Sequence, residues 1–129
     1  MNLPERIAGR PLNVLVVEDE ALVALNLEDM LGDLGHSVAG AAMRIEQALA
    51  MIEAGCAADV AILDVNLAGK PVFPVAERLA DLGIPLVFAT GYGRSGLPPE
   101  WQSRQVLQKP YTMEQVDGCL KAAFAGGQG

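Results

Sequence analysis

Four short stretches of this chain carry side chains that could do chemistry together: Glu18-Asp19-Glu20, Asp64 with Asn66 two positions on, Thr90, and Lys109-Pro110. Glu18, Asp19, Asp64, a hydroxyl and an ammonium make an oxygen-rich set with one fixed cation. Two carboxylates about 4 Å apart repel by roughly 4 kcal/mol at an effective dielectric near 20, so a gathering of three demands positive charge. Lys109 supplies one charge, and a hard dication with oxygen ligands supplies two. Mg²⁺ suits such a set because it keeps waters and bridges protein carboxylates to a phosphoryl group. With the charge balanced, Asp64 can act as a nucleophile toward phosphorus and form an acyl phosphate. Lys109 would pair with one phosphoryl oxygen, while the Thr90 hydroxyl and nearby backbone N–H groups would hydrogen-bond others.

Such a meeting requires a scaffold that collects distant residues at one edge. Five apolar runs, at residues 12–17, 37–41, 60–63, 85–89 and 105–108, read as strands. Three stretches of helical period lie between the first four: Val23, Leu27, Met30/Leu31, Leu34; then Ile45, Ala48, Leu49, Ile52; then Val72, Val75/Ala76, Leu79, Leu82. Gly35, Gly55 and Gly83 follow the last apolar turn of each, where a left-handed residue stops a helix. Thr112 and Gln115 stand in capping-box spacing before an inward stripe of Val116, Leu120 and Phe124. Alternating strands and helices with near-continuous apolar strands predict an α/β, doubly wound parallel sheet with helices on both faces. Gly91, Gly93, Gly96, Pro98 and Pro99 leave room for only a short or irregular fourth helix. In such a sheet, ligands bind beyond the carboxyl ends of the strands, which is where every reactive stretch falls.

The chain has 129 residues, enough for one domain, read as residues 11–125 between an N-terminal tail (1–10) and a Gly-rich C-terminal tail (126–129). The net charge of −7 comes from acids spread along the chain, so neither nucleic acid nor an anionic membrane is an expected partner. Cys56 and Cys119 have no CxxC or His companion, and residues 1–10 lack the apolar stretch of a signal peptide. These features fit reduced thiols and a cytoplasmic location, and no apolar run reaches the roughly 20 residues of a membrane span.

The ordered set Val14-Leu15-Val16-Val17-Glu18-Asp19-Glu20, Asp64-Val65-Asn66, Thr90 and Lys109-Pro110 resembles the receiver domain of two-component response regulators, over nearly the whole chain. Phe88-Ala89-Thr90-Gly91-Tyr92 further resembles the FATGUY subgroup. The resemblance implies a flavodoxin-like sheet of order 2-1-3-4-5 and a phosphohistidine donor, on a sensor histidine kinase or a histidine phosphotransfer protein. It also implies Mg²⁺ bound directly by Asp19 and Asp64, through water by Glu18, and by the backbone carbonyl of Asn66. The expected molecule is a single-domain phospho-acceptor, monomeric or weakly dimeric, that signals by protein contact or drains phosphate from a kinase. Receivers place an aromatic switch residue in the fifth strand; Val106 stands there, with Tyr92 as the nearest substitute. Asn66, Gly91 and Tyr92 flank the reacting centre as tuning positions.

Plainer and rival readings stand beside these. Asp19 or Glu20 could simply cap the first helix, and Lys109 alone would be a solvated surface lysine. Gly91-Tyr92-Gly93-Arg94-Ser95-Gly96 matches GxGxxG, but Leu97-Pro98-Pro99 follows where a phosphate-binding helix should begin. His36 reads as structural or solvated and not as a metal ligand, Trp101 as a core cover or a partner anchor, and the cysteines as small apolar residues. Two rival functions are a haloacid-dehalogenase-like phosphohydrolase, which wants Asp where Asn66 stands, and a pseudo-receiver that keeps the fold without using phosphate.

Overall fold

The computed structural model describes residues 10–125; the expected C-terminal tail, and the N-terminal one up to residue 9, lie outside them. Arg10 belongs to the folded body, because its guanidinium pairs with Asp59 at 3.4 Å and sits 4.9 Å over the Phe124 ring.

The sheet strands are β1 (Asn13–Val17), β2 (Ser37–Ala42), β3 (Val60–Asp64), β4 (Leu86–Thr90) and β5 (Gln105–Gln108). All pair in parallel, in the order β2-β1-β3-β4-β5. The helices are α1 (Ala21–Asp33), α2 (Ile45–Glu53), α3 (Phe73–Asp81) and α4 (Met113–Ala125). β1, β3 and β4 are covered on both sides, which is why their sequences are nearly unbroken apolar runs. Their side chains alternate between two cores. Leu15, Val17, Ala61, Leu63, Leu86 and Phe88 face α2 and α3. Val14, Val16, Val60, Ile62, Val87 and Ala89 face α1 and α4.

The expected helix stops hold: Gly35, Gly55 and Gly83 sit at φ +89°, +91° and +75°. The capping box at α4 is formed, with Gln115 N–H donating to Thr112 Oγ1 at 3.2 Å and Thr112 N–H to Gln115 Oε1 at 2.9 Å. One expected core position fails. Leu82 falls just beyond α3, at its C-cap, and is 47% exposed.

Between β4 and β5 there is no α-helix. Two single 3₁₀ turns, Arg94–Gly96 and Pro99–Trp101, occupy the crossover. Pro98 and Pro99 have no N–H to continue a helical ladder. The backbone is held by side chains instead: Arg94 Nη1 donates to the carbonyls of Gln102 and Arg104, each at 2.6 Å, and Gln102 Nε2 donates to Leu97 O at 2.7 Å. Trp101 is buried as a core cover, stacked on Phe73 at 6.3 Å and edge-on to Phe88 at 5.6 Å.

His36 is structural, as expected. It is buried, and its Nδ1 accepts the Leu12 N–H at 3.0 Å, which leaves Nε2 to carry the proton 3.8 Å from Asp117 on α4. Burial holds the imidazole below its ordinary pKa of 6.5 against the opposing pull of Asp117, while Lys121 adds to the lowering. The unfolded chain therefore takes up the proton more readily, so the stability from neutral His36 is present above pH 6.5 and is lost as pH falls below it. Replacing His36 by Leu strands the Leu12 N–H and is expected to cost roughly 1–3 kcal/mol at pH 8, less at pH 5. Urea midpoints of the two proteins across that range check this, and a gap independent of pH would refute it.

Candidate functional site

Each reactive residue stands at the carboxyl end of a strand. Glu18 follows β1, and its backbone N–H donates to Ala42 O at the end of β2 at 3.0 Å, so β2 anchors the site without giving it a side chain. Asp64 ends β3, Thr90 ends β4, and Lys109 follows β5 with its N–H on Thr90 O at 2.9 Å. Carboxylate oxygens of Glu18, Asp19 and Asp64 lie within 4.8 Å of one another. Lys109 Nζ is 3.0 Å from Glu18 Oε1 and 3.4 Å from Asp64 Oδ1. Asp64, Asn66, Thr90, Gly91, Tyr92 and Lys109 line a cleft of about 450 Å³, with Asp19 and Glu20 at its side. Glu18 lies beneath, buried.

The hydrogen bonds decide against the capping reading of the acids. Glu20 occupies the N-cap of α1 but makes no side-chain bond to it. Asp19 Oδ2 instead accepts the Ala68 N–H at 2.9 Å, and Glu18 Oε2 accepts the Glu20 N–H at 3.1 Å. Lys109 likewise is a partly buried ion partner of two carboxylates, not a solvated lysine. Thr90 Oγ1 accepts the Tyr92 N–H at 3.1 Å, leaving its own proton free to donate.

The electrostatics follow from this crowding. Burial, then the charge of Glu18, push the Asp64 carboxyl up to about 7, against the pull of Lys109. Burial also opposes ionisation of Asp19, but the Ala68 N–H and hydrogen bonds within the cluster hold its carboxyl below the ordinary value. Lys109 pays for burial too, yet its bond to Glu18 and the charge of Asp64 keep it above the usual lysine range. Three carboxylates and one ammonium leave a deficit of two charges, and the donor set is all oxygen. That fits a hard dication, and Mg²⁺ in particular, since oxygens this close together can share one coordination sphere while leaving room for waters.

The flanking positions divide. Asn66 and Gly91 line the cleft, and the Asn66 side-chain oxygen is taken by the Gly69 N–H at 2.9 Å. Tyr92 is 85% exposed. Val106 is half-buried and packs on the α2/α3 core, so no aromatic side chain of β5 lies behind Thr90. The GxGxxG match ends in a 3₁₀ turn, Arg94–Gly96, and opens no α-helix. Sequence reasoning missed the Ala68 N–H, because a backbone donor leaves no trace in residue type.

No family model matches the chain. The solution structure of SdrG from Sphingomonas melonis Fr1 does, at 45% identity and a TM-score of 0.79, covering 89% of this chain and 97% of that one. The same protein's BeF3-activated conformation gives a TM-score of 0.76. The receiver domain of the Erythrobacter litoralis PhyR response regulator is 27% identical with a TM-score of 0.80, covering 92% and 94%. The transcriptional regulatory protein PdtaR of Mycobacterium tuberculosis is 31% identical over 122 residues, 92% of this chain and 59% of that protein. The chain belongs to the response-regulator receiver family. It spans about half the length of the curated relatives it matches.

In a receiver, signalling rests on a folded domain rather than on turnover of a metabolite, and the crowded cluster has a measurable consequence for that fold. The folded Asp64 carboxyl keeps a proton that the unfolded chain releases near pH 4, so stability is lost as pH rises from there through about 7. Asp64→Asn cannot ionise. In Mg²⁺-free buffer it is expected to unfold at higher urea than the wild type at pH 8, with the gap closing toward pH 4. Mg²⁺ should narrow the pH 8 gap by stabilising the wild type alone. A variant less stable than the wild type at pH 8 would contradict this account.

Proposed function

We propose that this receiver is a Mg²⁺-dependent phospho-acceptor that takes a phosphoryl group from a phosphohistidine onto Asp64. The observation that carries the reading is the position of Asp64: at a strand end, flanked by two further carboxylates and 3.4 Å from a lysine. Bound by Glu18, Asp19, Asp64 and the Asn66 carbonyl, the ion would offset the carboxylate charge and hold the phosphoryl oxygens. An Asp64 carboxylate oxygen attacks phosphorus, the P–N bond to the donor imidazole breaks, and the imidazole keeps the electron pair and takes a proton from solvent. Lys109 turns from Glu18 to a phosphoryl oxygen, and Thr90 donates its free hydroxyl proton to another. That SdrG has a BeF3-activated conformation supports the same use of the cleft here. The phosphohydrolase reading needs a general acid at Asn66, and an amide has no such proton to give.

The donor also needs somewhere to sit. A second groove of about 450 Å³, lined by Leu22, Val23, Asn26, Lys109, Pro110 and Tyr111, adjoins the cleft. Lys109 forms part of both walls, and Leu22 is 81% exposed. We read it as the seat of the histidine kinase or phosphotransfer protein, whose phosphohistidine would then face Asp64. A cytoplasmic location accompanies this reading, and among the described residues no helix is long and apolar enough to cross a membrane.

Acetyl phosphate with Mg²⁺ is expected to phosphorylate the wild type, by intact mass, and to leave Asp64→Ala unmodified; EDTA should abolish labelling. Equal labelling of both proteins would sink the assignment. Leu22→Asp is expected to slow transfer from a cognate kinase about tenfold while leaving acetyl phosphate labelling unchanged, as for an apolar anchor in an interface. An equal loss with both donors would place Leu22 in the fold and not in docking.

A further inference from the structure

Resting on the phospho-acceptor reading, we propose that the small hairpin after Asp64 is a positioning element for the ion: the Ala68 N–H holds Asp19 within the carboxylate cluster, so hairpin order and divalent-ion binding form one coupled equilibrium.

The hairpin pairs Asn66–Leu67 with Lys70–Pro71 in antiparallel register, Asn66 opposite Pro71 and Leu67 opposite Lys70. Its two-residue loop is Ala68-Gly69, at φ +50° and +86°. Two-residue hairpin loops with both residues at positive φ favour Asn-Gly or Gly-Gly, because a Cβ is strained there. Ala68 is the one non-glycine residue at positive φ among the described residues. Its neighbours hold it in place: Leu67 is buried in the α2/α3 core, Gly69 N–H donates to Asn66 Oδ1, and Val72 N–H closes the hairpin base on Val65 O at 2.9 Å. The conformation aims the Ala68 N–H at Asp19 Oδ2.

Asp19 is the member of the cluster that needs holding. Glu18 is buried and bonded to the Glu20 N–H and to Lys109, and Asp64 is buried beside the same lysine. Asp19 is half-exposed, and among the described residues no Lys, Arg or His pairs with it. Hydrogen bonds to Asp64 and Glu18 hold it only while one carboxyl of the cluster is protonated; once all three are ionised, repulsion favours turning its carboxylate out into water. The Ala68 N–H opposes that turn by fixing Oδ2, which leaves Oδ1 for the ion. By linkage the effect runs both ways, since an ion that removes the repulsion tightens the Asp19–Ala68 bond and with it the hairpin.

The test uses Mg²⁺ alone, with calorimetry for affinity and amide exchange by NMR for the hairpin. Ala68→Val places a β-branched residue at positive φ and should flip the loop, weakening Mg²⁺ binding about tenfold, the scale of one charge-assisted hydrogen bond. Ala68→Gly keeps the N–H without the strain and should bind at least as tightly as the wild type. In the wild type, Mg²⁺ should slow exchange of the Ala68 amide by a similar factor. Ala68→Val binding within about twofold of the wild type while its loop amides exchange freely, or an Ala68 amide indifferent to Mg²⁺, overturns the proposal. A metal-free readout separates the two layers: Asp19→Ala should speed exchange at Ala68 with no ion present, and unchanged exchange there also overturns it. If that acceleration is seen but the wild type takes up no Mg²⁺, the hydrogen bond stands and both the ion coupling and the phospho-acceptor reading fall.

Discussion

Mutual repulsion among three carboxylates at one edge of the sheet governs how the rest of this molecule is arranged. At spacings under 5 Å and partial burial, each pair opposes the fold by an amount on the order of several kcal/mol before compensation. Compensation comes from fixed groups: the Lys109 ammonium between Glu18 and Asp64, the Glu20 N–H on Glu18, and the Ala68 N–H on Asp19. Burial, together with the repulsion from Glu18 that they leave uncompensated, appears as the raised Asp64 carboxyl. A site built this way is short of positive charge, and a dication or a new partner for the lysine changes its energy strongly.

Only a rigid scaffold can hold like charges in such a place. The parallel sheet supplies it, because β1, β3 and β4 are buried on both faces and their last residues cannot splay without opening two cores. β2 takes part through its backbone, since Ala42 O fixes the Glu18 N–H. β5 brings Lys109 from the far side and ties it to Thr90 O. The convergence of residues 18, 64, 90 and 109 is thus a result of strand order, in which β1 and β4 flank β3 and β5 lies beyond β4.

This logic explains what could be read from residue order. Strand-end acids, the hydroxyl and the lysine are legible because near-continuous apolar runs mark where strands stop, and the glycines at 35, 55 and 83 mark where helices do. The α4 cap is legible because Thr112 and Gln115 bond each other's backbone at a fixed spacing. The hairpin at 66–71 was not, since Ala68-Gly69 is a weak turn signal and its use depends on Asp19, 49 positions away in sequence. Leu82 matches the helical stripe by spacing but is the C-cap, beyond the last helical residue Asp81, and is exposed. The role of Trp101 was open until its neighbours Phe73 and Phe88, from two other elements, were in place.

The crossover after Thr90 shows how a receiver can dispense with a helix there. Helical hydrogen bonds are replaced by one guanidinium on two carbonyls, one amide on a third, and a tryptophan wedged against β4 and α3. Arg94 lies four positions after Thr90, and the carbonyls it holds belong to the residues that lead into β5. With Val106 in β5, no aromatic side chain of that strand lies behind Thr90. Thr90 is tied to the crossover instead, through the Tyr92 N–H that its Oγ1 accepts. The contacts that join the end of β4 to the crossover are therefore hydrogen bonds between side chains and main chain, and the Tyr92 ring stays exposed beside them.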